Sequence, residues 1–159
     1  MSTGQYIQIL KESLLKKEEI LDQIIEQNTL QAELLSKNRL DQDAFDKTME
    51  EKNRLIQELI LLDDGFTSIY NRVKSEMHEQ KLMYQTEIME LQNLIAKITE
   101  KSVAIQTAEE RNSKSFSNQM KMERKKLHQT RASAQVASGY YASMNKVNYI
   151  DAQFVDKKK

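Results

Sequence analysis

The stretch His78-Glu79-Gln80-Lys81-Leu82 begins like the zinc-binding helix of a metalloprotease, in which two histidines four residues apart face one ion and a glutamate activates water. Leu82 stands where the second histidine must be, and the other histidine of the chain, His128, is remote in sequence. Both histidines read as solvated helix residues. Asp41-Gln42-Asp43-Ala44-Phe45-Asp46 starts like a calcium loop, but Phe45 replaces an oxygen ligand, Asp46 the turn glycine, and Lys52 the bidentate glutamate at the twelfth position. It reads as a turn and a helix cap. The adjacent carboxylates Glu18-Glu19, Glu50-Glu51 and Asp63-Asp64 project about 100° apart on a helix, and nothing beside them suggests an apolar pocket that would raise one pKa for acid–base work. They read as solvated faces. A glycine-rich phosphate loop and a serine elbow are both missing. The expectation is a protein that is not an enzyme, with no cofactor and no metal.

Composition narrows what scaffold these residues stand on. Of 159 residues, 39% are hydrophobic and 30% charged, with no proline, three glycines and no cysteine. Turn-rich β folds are nearly excluded, as are disulfide frameworks and thiolate sites. The expected class is all-α: an elongated antiparallel bundle or coiled-coil hairpin of about three long helices with a flexible C-terminal tail. The start lacks a basic n-region and an apolar h-region, and no apolar run is long enough to span a bilayer, so a cytoplasmic protein without membrane insertion is expected. Residues 1–100 carry 12 Lys/Arg against 19 Asp/Glu, and residues 101–159 carry 12 against 5. Acidic and basic helices lying side by side account for that polarity. Nucleic-acid binding is not expected, because the formal net charge is zero and the longest internal basic run is Arg124-Lys125-Lys126.

Periodicity divides the chain into a helical bundle over 1–137 and a tail over 138–159. Ser2 and Gln5 form a capping box, after which Ile7, Leu10, Leu14, Leu21, Ile24 and Leu35 repeat on one seam that Lys17, Asn28 and Gln31 interrupt. The first helix is expected over 3–37, closed by Asn38 in a left-handed cap, with Asp41 capping the next. A second stripe runs from Phe45 through Met49, Ile56, Leu59, Phe66, Tyr70, Val73, Met77, Tyr84, Ile88, Leu91 and Ile95 to Ile98 and keeps its phase across Gly65. It predicts a helix over 42–108, kinked or broken, if anywhere, at 63–66. A third helix is expected over 110–137, where the stripe thins to Phe116, Met120, Leu127 and Ala134 after Val103 and Ile105.

The thin stripe and the tail hold the candidate partner-binding residues. The tail concentrates Tyr140, Tyr141, Tyr149 and Phe154 with Met144, Val147, Ile150 and Val155, and ends in three lysines. Two readings stay open: a short recognition peptide docking on a partner groove, or a segment that folds back to cap its own bundle. Met77, Met83, Met89, Met120, Met122 and Met144 fall in the half of the chain with the sparser core, and their adaptable side chains suit irregular partners, although ordinary packing explains Met77.

Laid out in this way, the chain resembles flagellar export chaperones of the FlgN type in their Firmicutes form. The likeness rests on the leucine-rich opening helix ending Leu34-Leu35-Ser36-Lys37, on Glu51-Lys52-Asn53-Arg54-Leu55-Ile56-Gln57-Glu58-Leu59 followed by Leu62-Asp63-Asp64-Gly65-Phe66, and above all on the tail, with Gly139-Tyr140-Tyr141, Met144-Asn145-Lys146 and Phe154-Val155-Asp156-Lys157-Lys158-Lys159. The resemblance implies an all-helical cytosolic chaperone that binds helical C-terminal segments of hook-associated subunits, blocks their premature assembly and brings them to the flagellar export gate. It also implies that Tyr140 or Tyr141 docks at the gate, and that a client helix lies along Phe116, Met120 and Leu127. The glycine usual shortly after the tyrosine is missing in Tyr141-Ala142-Ser143-Met144. Monomer or weak homodimer is expected. The alternatives are a structural self-associating coiled coil and the related chaperone of the filament cap.

Overall fold

The computed structural model of the chain describes residues 1–123 and 134–148. The described residues are all-α, with three long helices, α1 (Thr3–Leu35), α2 (Gln42–Glu79) and α3 (Gln85–Met122), and a shorter one, α4, at residues 134–148. At 1.5 Å per residue the long helices reach roughly 50–57 Å.

Local chemistry sets the ends of α1. Gln5 N–H donates to Ser2 Oγ at 3.3 Å, and Ser2 N–H donates to Gln5 Oε1 at 2.8 Å, which completes the capping box. The helix closes at Leu35, earlier than Lys37, and Asn38 is not left-handed. The terminal carbonyls are satisfied in another way: the Ser36 hydroxyl donates to Glu33 O at 2.7 Å, and the Gln119 amide of α3 donates to Lys37 O at 2.9 Å and Leu35 O at 3.4 Å. Buried Leu40 anchors the loop, and Asp41 caps α2 by accepting from Ala44 N–H at 3.1 Å.

The chain reverses at 80–84, not at Gly65 and not near 108–110. Gly65 lies exposed inside α2, which runs on to Glu79. Gln80 N–H donates to Glu76 O at 2.9 Å to close that helix, Tyr84 N–H returns to Gln80 O at 3.2 Å, and α3 follows without a break to Met122. The reversal brings Leu91, Ile95 and Ile98 back onto α1, where all three are buried. One straight helix over 42–108 would have carried them away from it. The predicted helix over 110–137 is therefore partly the end of α3, and α4 spans the expected boundary between bundle and tail at 137–138.

Partner numbers fall in α2 as they rise in α1, with Thr3 bonded to Glu76, Lys17 to Asp63 and Gln31 to Thr48, so these two helices are antiparallel. They rise together in α1 and α3, with Lys11 paired to Glu90, Asp22 to Lys101 and Asn28 to Glu109, so these run parallel. α1 packs along both neighbours, whereas the backbones of α2 and α3 scarcely approach each other. What lies between α2 and α3 is therefore the fourth corner of a bundle, and α4 enters it through Tyr140, Met144 and Val147, all buried in the common core. Leu10, Leu21, Ile24, Leu55, Ile56 and Leu59 are wholly buried along α1 and α2, each contributing about 1.5–3 kcal/mol relative to exposure. Val103, expected on the thinning stripe, points outward at 56% exposure.

Gly65 is exposed, helical, and surrounded by open space where a Cβ would sit. Gly65→Ala is expected to stabilise the protein by about 0.5–1 kcal/mol, or roughly 1–4 °C in melting temperature, read by thermal and urea unfolding. A loss of stability would mean that the helix depends on a kink there.

Candidate functional site

The residues that interrupt the apolar seam of α1 are not exposed. Lys17, Asn28 and Gln31 are 2%, 2% and 1% exposed, and each meets a polar partner on another helix. Lys17 Nζ lies 2.8 Å from Asp63 Oδ1, so one carboxylate of the Asp63-Asp64 pair is an interior group and not a solvated one.

The larger cluster forms where α4 crosses the bundle. Lys52 of α2 donates to Glu109 Oε2 of α3 at 2.6 Å and to Gln31 Oε1 of α1 at 3.2 Å. Asn28 Nδ2 donates to Glu109 Oε1 at 3.3 Å, and Asn112 Nδ2 donates to Asn28 O at 3.0 Å and Gln31 Oε1 at 3.4 Å. The Gln31 amide donates to Thr48 Oγ1 at 2.9 Å, and the Thr48 hydroxyl in turn donates to Phe45 O at 2.6 Å. Three helices thus share one continuous network around a buried charge pair, whose hydrogen bonds and mutual attraction offset its desolvation cost.

α4 closes the network. The Tyr140 ring lies over Lys52 Nζ at 4.4 Å from its centroid, a cation–π contact made away from water, where it is strongest. Burial pulls the Lys52 pKa down, opposed by the neighbouring Glu109 carboxylate. The Tyr140 hydroxyl makes no hydrogen bond of ordinary geometry; burial first, and the Glu109 charge second, drive its pKa far above the normal phenol value. Tyr141, packed edge-on against Tyr140 with centroids 5.6 Å apart, is pushed up to about 12, again mainly by burial. With Lys52 sealed beneath Tyr140, its amine meets no solute. The cluster fixes the register of four helices.

Beside α4 the surface opens into a cleft of about 450 Å³, whose walls include Phe116, Ser117 and Met120 of α3, Phe45 and Met49 of α2, and Tyr141 of α4. Phe116 stacks on Phe45 with centroids 4.7 Å apart, which joins α3 to α2 at the cleft floor. Three of the predicted partner-binding residues, Phe116, Met120 and Tyr141, are therefore brought together, each only partly buried. Tyr140 and Met144 are corrected: at 0% and 3% exposure they hold α4 to the bundle and present nothing to a partner. Their spacing with Val147 is one helical face. Leu127, Tyr149, Ile150 and Phe154 lie outside the described residues, as does His128. Exposed His78 sits in the last turn of α2.

Lys52, Glu109, Asn112 and Thr48 were not anticipated. A signal did exist: Lys52 fills the slot between Met49 and Ile56 in the 3-4 rhythm, and Glu109 and Asn112 fill slots between Ile105 and Phe116. A polar residue in such a slot is buried and therefore needs a partner.

No family model, curated protein or solved structure matches the chain. Among the described residues, no helix is long and apolar enough to cross a membrane, and no group of His, Asp and Glu could hold a metal ion.

Lys52→Met or Glu109→Leu alone leaves an uncompensated buried charge and is expected to cost about 3–5 kcal/mol, while the double substitution recovers most of that loss. Urea unfolding of the four proteins gives the coupling, and additive losses would contradict the network. A second expectation concerns alkali. The folded-state pKa values of Tyr140 and Tyr141 lie above the unfolded value of about 10. The unfolded chain therefore loses these protons first, and the stability they contribute, complete below about pH 10, falls as pH rises through 10 toward about 12. Tyrosinate absorbance and helix content should change together in that window, and Tyr140→Phe, which keeps the ring and removes the buried hydroxyl, should move the transition to higher pH.

Proposed function

We propose that this protein is a cytosolic flagellar export chaperone that binds helical C-terminal segments of hook-associated subunits, prevents their premature assembly and delivers them to the export gate. The reading is supported by one observation above all: Phe116, Met120 and Tyr141, separated in sequence, line one open cleft wide enough for large apolar side chains. An amphipathic client helix presents such side chains at every third or fourth residue, and inserting them between α3 and α4 replaces the contacts it would make in the polymer. Met120 gives the wall an adaptable, polarizable side chain suited to more than one client.

Within the Tyr140-Tyr141 doublet the roles separate physically. Tyr140 is consumed in packing, whereas Tyr141 keeps part of its surface exposed. Tyr141 is accordingly the one of the two assigned to the export gate.

Purified C-terminal segments of hook-associated subunits, titrated into the protein with methionine-methyl NMR, test this. Binding should move the Met120 and Met49 resonances, and Ser117→Glu with Met120→Ala should weaken it at least tenfold, about 1.4 kcal/mol, without loss of helix content. Binding of filament-cap segments alone would point to the related cap chaperone, and a tight dimer that binds neither would favour a structural coiled coil.

A further inference from the structure

A second groove, of about 470 Å³, lies at the other end of α2, between its last turns and the start of α3. Its floor is apolar, from Tyr70 and Met77 of α2 to Ile88 and Met89 of α3, and Leu82 at the turn is 89% exposed beside it. One wall carries Lys74, His78 and Lys81, at helical spacing on one side of α2 and its turn; Gln85 and Gln92 line the groove from the α3 side, and no Asp or Glu lines it. None of the three basic side chains makes an ion pair among the described residues, in a region otherwise rich in carboxylates.

We propose that this groove docks an acidic amphipathic α-helix of another protein. The shape is set by the fold: α2 and α3 keep their backbones apart along the bundle, and α4 demonstrates nearer the other end that a helix is what fits between them. Charge selects the occupant, since an apolar floor with a purely basic wall matches a helix whose apolar face is flanked by Glu or Asp. A stretch of about 12–14 residues covers the distance from Tyr70 to Leu82 at 1.5 Å per residue. The exposed Met89 supplies an adaptable contact in the groove, and the exposed turn residue Met83 follows Leu82 in the chain. A flat anionic membrane is the poorer match, because it would also meet exposed Glu79 and Glu87 beside the turn. This site is independent of the chaperone reading, whose cleft adjoins the first turn of α2, so either can fail alone.

The test uses the full chain and two synthetic peptides of about 14 residues with the same leucine face, one flanked by glutamates and the other by lysines. Methionine-methyl NMR should show the acidic peptide moving Met77, Met83 and Met89 while Met120 stays still, with affinity at least tenfold above that of the lysine peptide and falling as salt is raised. Lys74→Glu with Lys81→Glu, both exposed and so harmless to folding, should reverse that preference. Equal binding of the two peptides, no binding of the acidic one, or shifts centred on Met120 would overturn the proposal. So would a response of the same methionines to vesicles of anionic phospholipid but not to the peptide, or to removal of residues 149–159 with no peptide present, which would identify the occupant as the chain itself.

Discussion

A lysine and a glutamate cross the space between two helices whose backbones scarcely approach each other. Lys52 and Glu109 approach to 2.6 Å across the α2–α3 gap, and Gln31 and Asn28 of α1 add one hydrogen bond to each. Pure apolar packing would tolerate a slide of one helix along another by a turn, since the same 3-4 stripe repeats on every face. A buried charge pair does not, because any slide leaves a charge desolvated and alone. The Lys17–Asp63 pair repeats the device on the α1–α2 contact, at 2.8 Å. Two such pairs at different heights select one register for three helices whose apolar stripes permit several.

α4 depends on the same pair from above. It has one buried face, Tyr140, Met144 and Val147, against a long row of buried residues in each of α1, α2 and α3. Tyr140 lies over the Lys52 ammonium, so α4 covers the polar network while Met144 and Val147 pack into the apolar core. An element with little apolar burial stands at the low end of the local stability scale of a protein. The cleft formed by Tyr141 with Phe116 and Met120 has α4 as one of its walls.

Helix identity was legible wherever the signal was local. The Ser2–Gln5 box and the Asp41 cap involve residues three apart, and the apolar stripes of α1 and α2 report burial directly. The reversal at 80–84 was not legible, for a geometric reason: Met77 and Tyr84 are one heptad apart, so the stripe keeps its phase across the turn as though the helix continued. Nor does the turn carry glycine or proline, while Gly65, the residue that advertised a break, sits in an intact helix. The end of α1 was misjudged for a related reason, because the amide that satisfies its last carbonyls comes from Gln119, far along the chain.

The candidate site divides along the same line. Phe116 and Met120 could be picked out because a thinning stripe marks half-buried side chains, and Tyr141 because aromatics outside a core are conspicuous. The network beneath them could not be read as a network, since what makes Lys52 an interior residue is Glu109, whose own reason for burial is Asn28 and Lys52. Taken singly, each is a polar residue spoiling an apolar seam. Taken together, each supplies the acceptor or donor that the others lack, and the interruptions in three separate stripes become a single structural element. A hydrophobic pattern records which faces turn inward; it carries no term for polar groups that satisfy one another there. The most specific part of this bundle is therefore written in the positions that look, one at a time, like defects in it.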